Sequence, residues 1–288
     1  MIKISAIVTT ARLGGLDVLV NSFRQQTLLV AEWELIVVDE YWEQRKNIFE
    51  SAQLPIKHIR PKRYSDVYDN STGFNSGLAI AAGELVTFLV DYCWVYAGYL
   101  ENHWHWYQKY KGFSMTGYVD RYTPPPLRLE GSQLWSTFSQ VFDASYANWF
   151  FPNNTPEYQE RKGGVVGPEV APGVYEMPGH LVYMLGDSIP LSVIKELNGW
   201  DEAYNGGYGS NDIDIGMRAN MIGWRFALNP ASIIYKLGTP TSSQVLPAIN
   251  KQRVRSPQDN FQILLARMEA IKAARETVAV PAGRGAWR

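Results

Sequence analysis

Four short apolar runs, spaced by segments of helical period, constrain this chain most. Ile4-Ser5-Ala6-Ile7-Val8, Glu34 to Asp39, Ile56 to Ile59 and Leu85 to Val90 are each of strand length. Between them lie Leu16 to Phe23, with Leu16, Leu19, Val20 and Phe23 on one face, a polar helix around Trp42 to Ser51, and a small-residue helix over Phe74 to Ala82. Strands separated by helices of this length predict an α/β fold with a mostly parallel sheet flanked by helices. Ligands of open parallel sheets sit outside the carboxyl ends of the strands. Two of the runs end there in an acid, Asp39 and Asp91.

With 46% hydrophobic and 19% charged residues, the chain has enough apolar material for a sizeable core. No apolar stretch approaches the roughly 18 residues of a membrane span, and the chain opens directly into a strand with no signal-peptide pattern. The single cysteine, Cys93, excludes a disulfide framework and a Cys-rich zinc site. None of the four histidines falls in a His-x-x-x-His pair. These features predict a soluble, cytoplasmic protein. Net charge is −1, yet residues 251–288 hold eight Lys/Arg against three Asp/Glu, which leaves about −6 on the remainder. Such a basic tail suits either a solvated terminal helix or a phosphate-bearing partner.

From Tyr118 to Gly179 the periodicity dissolves into Pro124-Pro125-Pro126, Asn153-Asn154, Gly163-Gly164 and an aromatic cluster at Tyr146 to Phe151. A loop of that length in a compact domain is usually a binding segment or lid. Regular pattern resumes as a strand at His180 to Leu185 and a helix at Pro190 to Leu197, stopped at Asn198-Gly199. A helix over Asp212 to Met221 follows, then strands near Trp224 to Leu228 and Ile233 to Tyr235. The last helix starts at Ser256-Pro257 and packs back onto the body through Phe261, Leu264, Leu265, Met268 and Ile271. The expected organisation is thus 1–117, 118–240 with an insertion at 118–179, and a basic helical tail at 241–288.

Three segments carry chemistry. Thr9-Thr10-Ala11-Arg12, after the first strand, offers backbone N–H groups and a guanidinium beside Asp39, which either accepts hydrogen bonds from a ligand or caps the helix after it. Phe74-Asn75-Ser76-Gly77, Gly83-Glu84 and Asp91-Tyr92-Cys93 deliver a second acid to the sheet edge, as a cation or diphosphate ligand or as a solvated strand end. The third is the most specific: Gly199-Trp200-Asp201-Glu202, then Gly206-Gly207-Tyr208-Gly209-Ser210-Asn211-Asp212-Ile213-Asp214-Ile215-Gly216-Met217-Arg218. Its glycines let main chain approach a ligand closely. The helix begins at the acids, where its N-terminus favours an ionised Asp212, and Asp214 can pair with Arg218 four residues on. An ionised, oriented carboxylate beside a glycine loop has what a general base needs.

In these motifs the chain resembles a GT-A (Rossmann-like) glycosyltransferase of the family-2 type, with a galactosyltransferase-type C-terminal motif. The likeness runs from about Ile2 to Gly238, the aromatic-rich acceptor-side insertion being unmatched. It implies a hexosyltransferase-like enzyme moving a sugar from a nucleotide-sugar donor, a UDP-sugar, to a glycan or other hydroxyl-bearing acceptor with inversion. Thr9, Thr10 and Arg12 would line the nucleotide pocket, Asp39 would hold the base, and Asn75 would lie near the ribose-diphosphate. Asp91 would be the surviving acid of the Asp-x-Asp metal motif, coordinating Mn²⁺ or Mg²⁺. Asp212 would be the base, with Asn211 and Tyr208 on the acceptor side. Apart from that likeness, Trp149, Phe150 and Phe151 lie in a segment with no evident scaffold role and suit stacking on an acceptor.

The chain departs from that pattern in three places. Asp91 is followed by Tyr92 and Cys93 rather than a second acid, no histidine falls near Ile234-Tyr235-Lys236, and Gly73-Phe74 replaces an Arg ahead of Asn75. One-carboxylate metal binding, compensation by Arg12, Lys62, Arg63 or Lys236, and loss of activity are the alternatives. Retention on the same scaffold, a non-catalytic nucleotide-sugar or glycan-binding protein, and transfer to a DNA base gripped by the basic tail are the rival functions. His103, Trp104, His105 and Trp106 suit a metal or sugar, or a surface or partly packed helix face; His180 reads as structural.

Overall fold

In the first strand Ile4, Ala6 and Val8 alternate with Ser5 and Ile7, and every one of these side chains is buried. A strand covered on both sides needs apolar layers above and below it, as an interior parallel strand has. The computed structural model describes residues 1–11, 16–50, 52–62, 66–67, 69–91, 93–122, 167–182, 185–237 and 253–277. The first layer is built from β1 (Ile4–Thr10), α1 (Leu16–Phe23), β2 (Trp33–Asp39), α2 (Trp42–Glu50), β3 (Ile56–Ile59), α3 (Asn70–Leu78) and β4 (Leu85–Val90). Then come β5 (Cys93–Val95), α4 (Tyr99–Lys109), β6 (Phe113–Tyr122), β7 (Glu169–Ala171) and β8 (Val174–Met177). The remainder is β9 (Ser188–Pro190), α5 (Leu191–Glu196), α6 (Asn211–Met221), β10 (Arg225–Leu237) and α7 (Pro257–Thr277).

The main sheet has the order β3-β2-β1-β4-β9. The first four strands are parallel, and β9 joins β4 antiparallel. One face packs Ile4, Ala6, Val8, Leu35, Val37 and Leu89 against α1, α2 and α4. The other packs Ile7, Ile36, Val38, Val86 and Phe88 against α3, α5 and α6. With helices on both faces and the chain order reversing between β1 and β4, this is the Rossmann-like, mostly parallel arrangement expected. A second sheet forms around the long β10, which pairs with β6 in parallel and with β5 and β8 antiparallel.

Several local expectations are revised. The segment from His180 is a 3₁₀ turn at Gly179–Leu181 rather than a strand, because Gly179 lies against the main chain of Gly216 and cannot enter a ladder. The two strands expected near Trp224 and Ile233 are one, β10, with a register shift between Leu228 and Ile233. Helix α3 begins at Asn70 rather than Phe74. The boundary expected after residue 117 falls inside β6.

His103 is not a surface residue of α4; it is fully buried and bolts the two sheets together. One ring nitrogen meets Ser188 Oγ of β9 at 2.7 Å and the other Ser232 Oγ of β10 at 3.0 Å. Burial lowers its pKa from 6.5 to about 3, so the folded chain keeps the ring neutral where the unfolded chain protonates it. Stability on this account is complete above pH 6.5 and falls as pH drops toward 3, by about 1.4 kcal/mol per pH unit. The melting temperature of a His103→Asn variant should decline less steeply across that window than that of the parent chain. Equal slopes would mean that His103 is protonated in the fold.

Candidate functional site

The C-terminal edge of the main sheet gathers the ends of β1, β2 and β4. Register sets Thr10 beside Asp39, and the Thr10 hydroxyl donates to Asp91 Oδ2 at 2.8 Å. That bond crosses from β1 to β4, the point where the sheet reverses its winding and where open α/β sheets hold ligands. Thr10 and Asp91 are nearly covered, whereas Thr9 is half-buried and donates to Asn70 Oδ1 at 2.6 Å.

Asp39 is completely buried and both its oxygens are engaged. Oδ1 accepts from Arg45 Nη2 at 2.7 Å and from the Tyr41 N–H at 2.8 Å, and Oδ2 lies 2.8 Å from His58 Nε2. Its carboxylate therefore clamps the start of α2 to β3. Asn75, expected near a ribose-diphosphate, is bonded to the 200–202 segment: Oδ1 accepts the Trp200 N–H at 2.9 Å, while Nδ2 donates to Trp200 O at 2.8 Å and Glu202 Oε1 at 3.1 Å. Arg12, Arg63, Trp149 and Phe150 lie outside the described residues. Lys62 is exposed.

The glycine-rich segment is carried to this edge by α3. Trp200 is buried, stacked on Phe74 at 4.8 Å and edge-on to Phe88 at 5.1 Å, so the Gly-Trp-Asp-Glu run is anchored in the core beneath the sheet. Asn205 Nδ2 donates to Thr72 Oγ1 at 2.7 Å, two residues from the Asn70 that holds Thr9. The loop after Asn205 thus starts beside the end of β1. It ends at Ser210, which has a left-handed backbone with φ 68°, a costly conformation for a residue with a side chain. Asn211 and Asp212 then open α6, both half-buried, and Asp212 Oδ1 accepts the N–H of Ile213 at 3.0 Å. Tyr208 is 39% exposed, with the Arg253 guanidinium over its ring at 5.0 Å.

The two acids of α6 differ. Asp214 is buried; Oδ2 accepts from Arg218 Nε at 2.7 Å, as the four-residue spacing predicts. Oδ1 accepts from Arg267 Nη1 of α7 at 3.0 Å and from the Tyr204 hydroxyl at 3.3 Å. Burial pushes the Asp214 carboxyl above its ordinary range against the pull of Arg218, and the Tyr204 phenol is raised by burial and by the neighbouring carboxylate. The remaining Arg218 N–H groups reach Leu197 O at 2.6 Å and Gly199 O at 3.0 Å, and Arg267 also pairs with Asp201.

A divalent cation needs several hard oxygen ligands. Among the described residues no three His, Cys, Asp or Glu side chains are grouped to hold one. Asp91 is buried against Thr10, and Cys93 is buried in the core. The donor set among the described residues does not form a cation site. Sequence reasoning had not found Asn70, Arg45, His58, Asn205, Asn260 or Arg267. Only the i,i+4 partner of Asp214 left a signal in the spacing.

Sheet order, helices on both faces and the edge at the β1/β4 reversal define a GT-A-type α/β fold. Solved structures of TarS from S. aureus share it. Its fragment 1–349 superposes with TM-score 0.55 at 15% identity, over 82% of this chain and 60% of that one. The same fragment in complex with UDP gives 0.53 at 15% identity, over 83% and 61%. The complex with UDP-GlcNAc gives 0.53 at 14% identity, over 83% and 59%. The chain therefore spans about three-fifths of those fragments. No protein-family model matches the chain, and no curated protein sequence does. No helix among the described residues is long and apolar enough to cross a membrane.

Leaving the Asp214 charges without their partner should be severe. Asp214→Ala is expected to cost about 3–5 kcal/mol in urea unfolding, and a loss below about 1 kcal/mol would show that Arg218 and Arg267 gain as much from water.

Proposed function

We propose that this chain is a glycosyltransferase that moves a sugar from a nucleotide-sugar, a UDP-sugar, onto an acceptor hydroxyl with inversion. The observation supporting the reading is the pair of hydrogen bonds Thr9–Asn70 and Thr72–Asn205, which ties Asn205, at the start of the glycine loop that leads to Asp212, to the same helix α3 that holds the end of β1. Fold likeness to TarS, whose structures include UDP and UDP-GlcNAc complexes, supports the donor class. The acceptor side of the reading rests on the sequence resemblance of residues 199–218 to a galactosyltransferase-type motif.

In this reading the nucleoside diphosphate lies along the edge of Thr9, Thr10 and Asp91, with Arg12 beside it. Asp39 acts behind that edge by holding Tyr41 and Arg45. An acceptor hydroxyl gives its proton to the Asp212 carboxylate as its oxygen bonds to the anomeric carbon. The bond from that carbon to the phosphate oxygen breaks, and its electron pair leaves with the nucleoside diphosphate. A sugar hydroxyl is a weak nucleophile, so an aligned base and a stabilised leaving group supply most of the acceleration. Cations, Arg12 foremost, take the place of a divalent metal. Asn211 and Tyr208 face the acceptor, with Trp149 and Phe150 as stacking partners.

A second reading is favoured by the engagement of Asp39 and Asp91 with the protein itself: a nucleotide-sugar-binding protein without turnover. Transfer separates the two. Asp212→Asn should lower kcat by about 10²–10⁴ and leave UDP affinity within about twofold of the parent. Binding of UDP-sugars with no transfer or hydrolysis by the parent chain would instead establish the second reading. Product stereochemistry read by proton NMR tests inversion.

Donor identity follows from thermal shift against UDP, UDP-GlcNAc, other UDP-hexoses and GDP-sugars. A ligand at a hundred times its dissociation constant stabilises by about 2.7 kcal/mol. Turnover should persist in strong chelator. Strict dependence on Mn²⁺ would overturn the cationic account.

A further inference from the structure

The basic C-terminal segment is built into the acceptor side. Helix α7 starts with a reciprocal cap: Ser256 N–H donates to Asp259 Oδ2 at 2.7 Å, and Asp259 N–H to Ser256 Oγ at 3.2 Å. That cap fixes the chain just ahead of the helix against the glycine loop. The N–H groups of Val254 and Arg255 both donate to Gly206 O at 2.9 Å. Arg255 spans two loop carbonyls, Nη1 donating to Ala203 O at 2.8 Å and Nη2 to Asn205 O.

Asn260 completes the grip. It is 1% exposed, and its one NH₂ group donates to Tyr204 O and Gly209 O, both at 3.1 Å. One carbonyl lies two residues ahead of the Gly206-Gly207-Tyr208-Gly209 loop and the other at its last residue, so a single amide staples the loop closed. Its Oδ1 is buried with no hydrogen-bond donor among the described residues, a cost accepted to place the NH₂. A Cβ on Gly207 would stand 2.5 Å from that oxygen, so glycine here serves packing against α7 rather than approach of a ligand.

We propose that Arg253–Arg267 is a positioning strap: it holds the main chain from Ala203 to Gly209, and thereby the left-handed Ser210 and the start of α6 that aims Asp212. Four glycine-rich residues next to a catalytic turn lose much conformational entropy on ordering, and the strap supplies the bonds that offset it. Arg255 and Arg267 spend their N–H groups on loop carbonyls and on Asp201 and Asp214, so this part of the basic tail faces the protein rather than a phosphate backbone. Asn260 and Arg255 act through the loop as positioning residues. The catalytic half of the inference rests on the function proposed above; the mechanical half does not.

The test compares full-length parent, Asn260→Asp, Arg255→Lys and Arg255→Ala. Asn260→Asp keeps the shape and removes both donated bonds. Arg255→Lys keeps the charge and loses the two-carbonyl fork. Hydrogen exchange of the amides at 205–212 should quicken about tenfold or more in Asn260→Asp and in both Arg255 variants. UDP affinity should stay within about twofold, and transfer kcat should fall about tenfold with donor KM unchanged.

Unchanged exchange in Asn260→Asp, or parent-like behaviour of Arg255→Lys, overturns the strap. So does a loss of UDP affinity in step with kcat, which would mean that the segment supports the donor edge instead. Should the parent bind UDP-sugars without turnover, the proposed function fails while the exchange comparison still decides the strap.

Discussion

A buried carboxylate, Asp214, organises the segments around α6 in this molecule. Taking Asp214 out of water is expensive, and the chain can bury it only where guanidinium groups replace the lost hydration. Arg218 supplies one from the same helix and Arg267 another from α7, with the Tyr204 hydroxyl completing the shell. Each partner brings its own stretch of chain. Arg218 also holds the carbonyls where α5 ends, and Arg267 holds Asp201. Well-packed apolar residues in place of the whole group, Asp214 with Arg218 and Arg267 together, would be comparably stable, but they would not set the orientation of three segments at once. The charge defines geometry more than it adds stability.

The C-terminal edge of the main sheet is held in the same way. Asp39 and Asp91 sit at strand ends, the positions from which acids reach ligands, yet each is engaged by protein: Asp39 by Arg45, Tyr41 and His58, and Asp91 by Thr10. Held by protein partners, these acids are part of the scaffold at this edge, and in the proposed function its main-chain N–H groups and hydroxyls would face the diphosphate.

Much of the fold was legible because strand and helix periods act over a few residues. Ile4, Ala6 and Val8 alternate across β1, and Leu16, Leu19, Val20 and Phe23 face one side of α1, in the sequence as in the structure. Stop signals held for the same reason: Asn198 and Gly199 both adopt positive φ at the end of α5, as that residue pair favours. Longer-range features misled. His103 lies in a polar stretch and reads as a surface ring, but burial depends on the sheets that close over it. Gly207 reads as room for a ligand, whereas the space is filled by Asn260, fifty-odd residues away.

Sequence alone thus determined the α/β alternation, the acids at the ends of β2 and β4, the glycine loop opening α6, and the Asp214–Arg218 pair, all set by neighbours within one or two turns. Tertiary structure alone decided what each polar group bonds to: Asp39 to His58, Asn75 to Trp200, Asn260 to Tyr204 and Gly209. Those contacts span between 19 and 125 residues of chain. Once water is excluded, a buried amide or carboxylate must take whichever partner the fold brings within about 3 Å, and no local pattern encodes which one that will be.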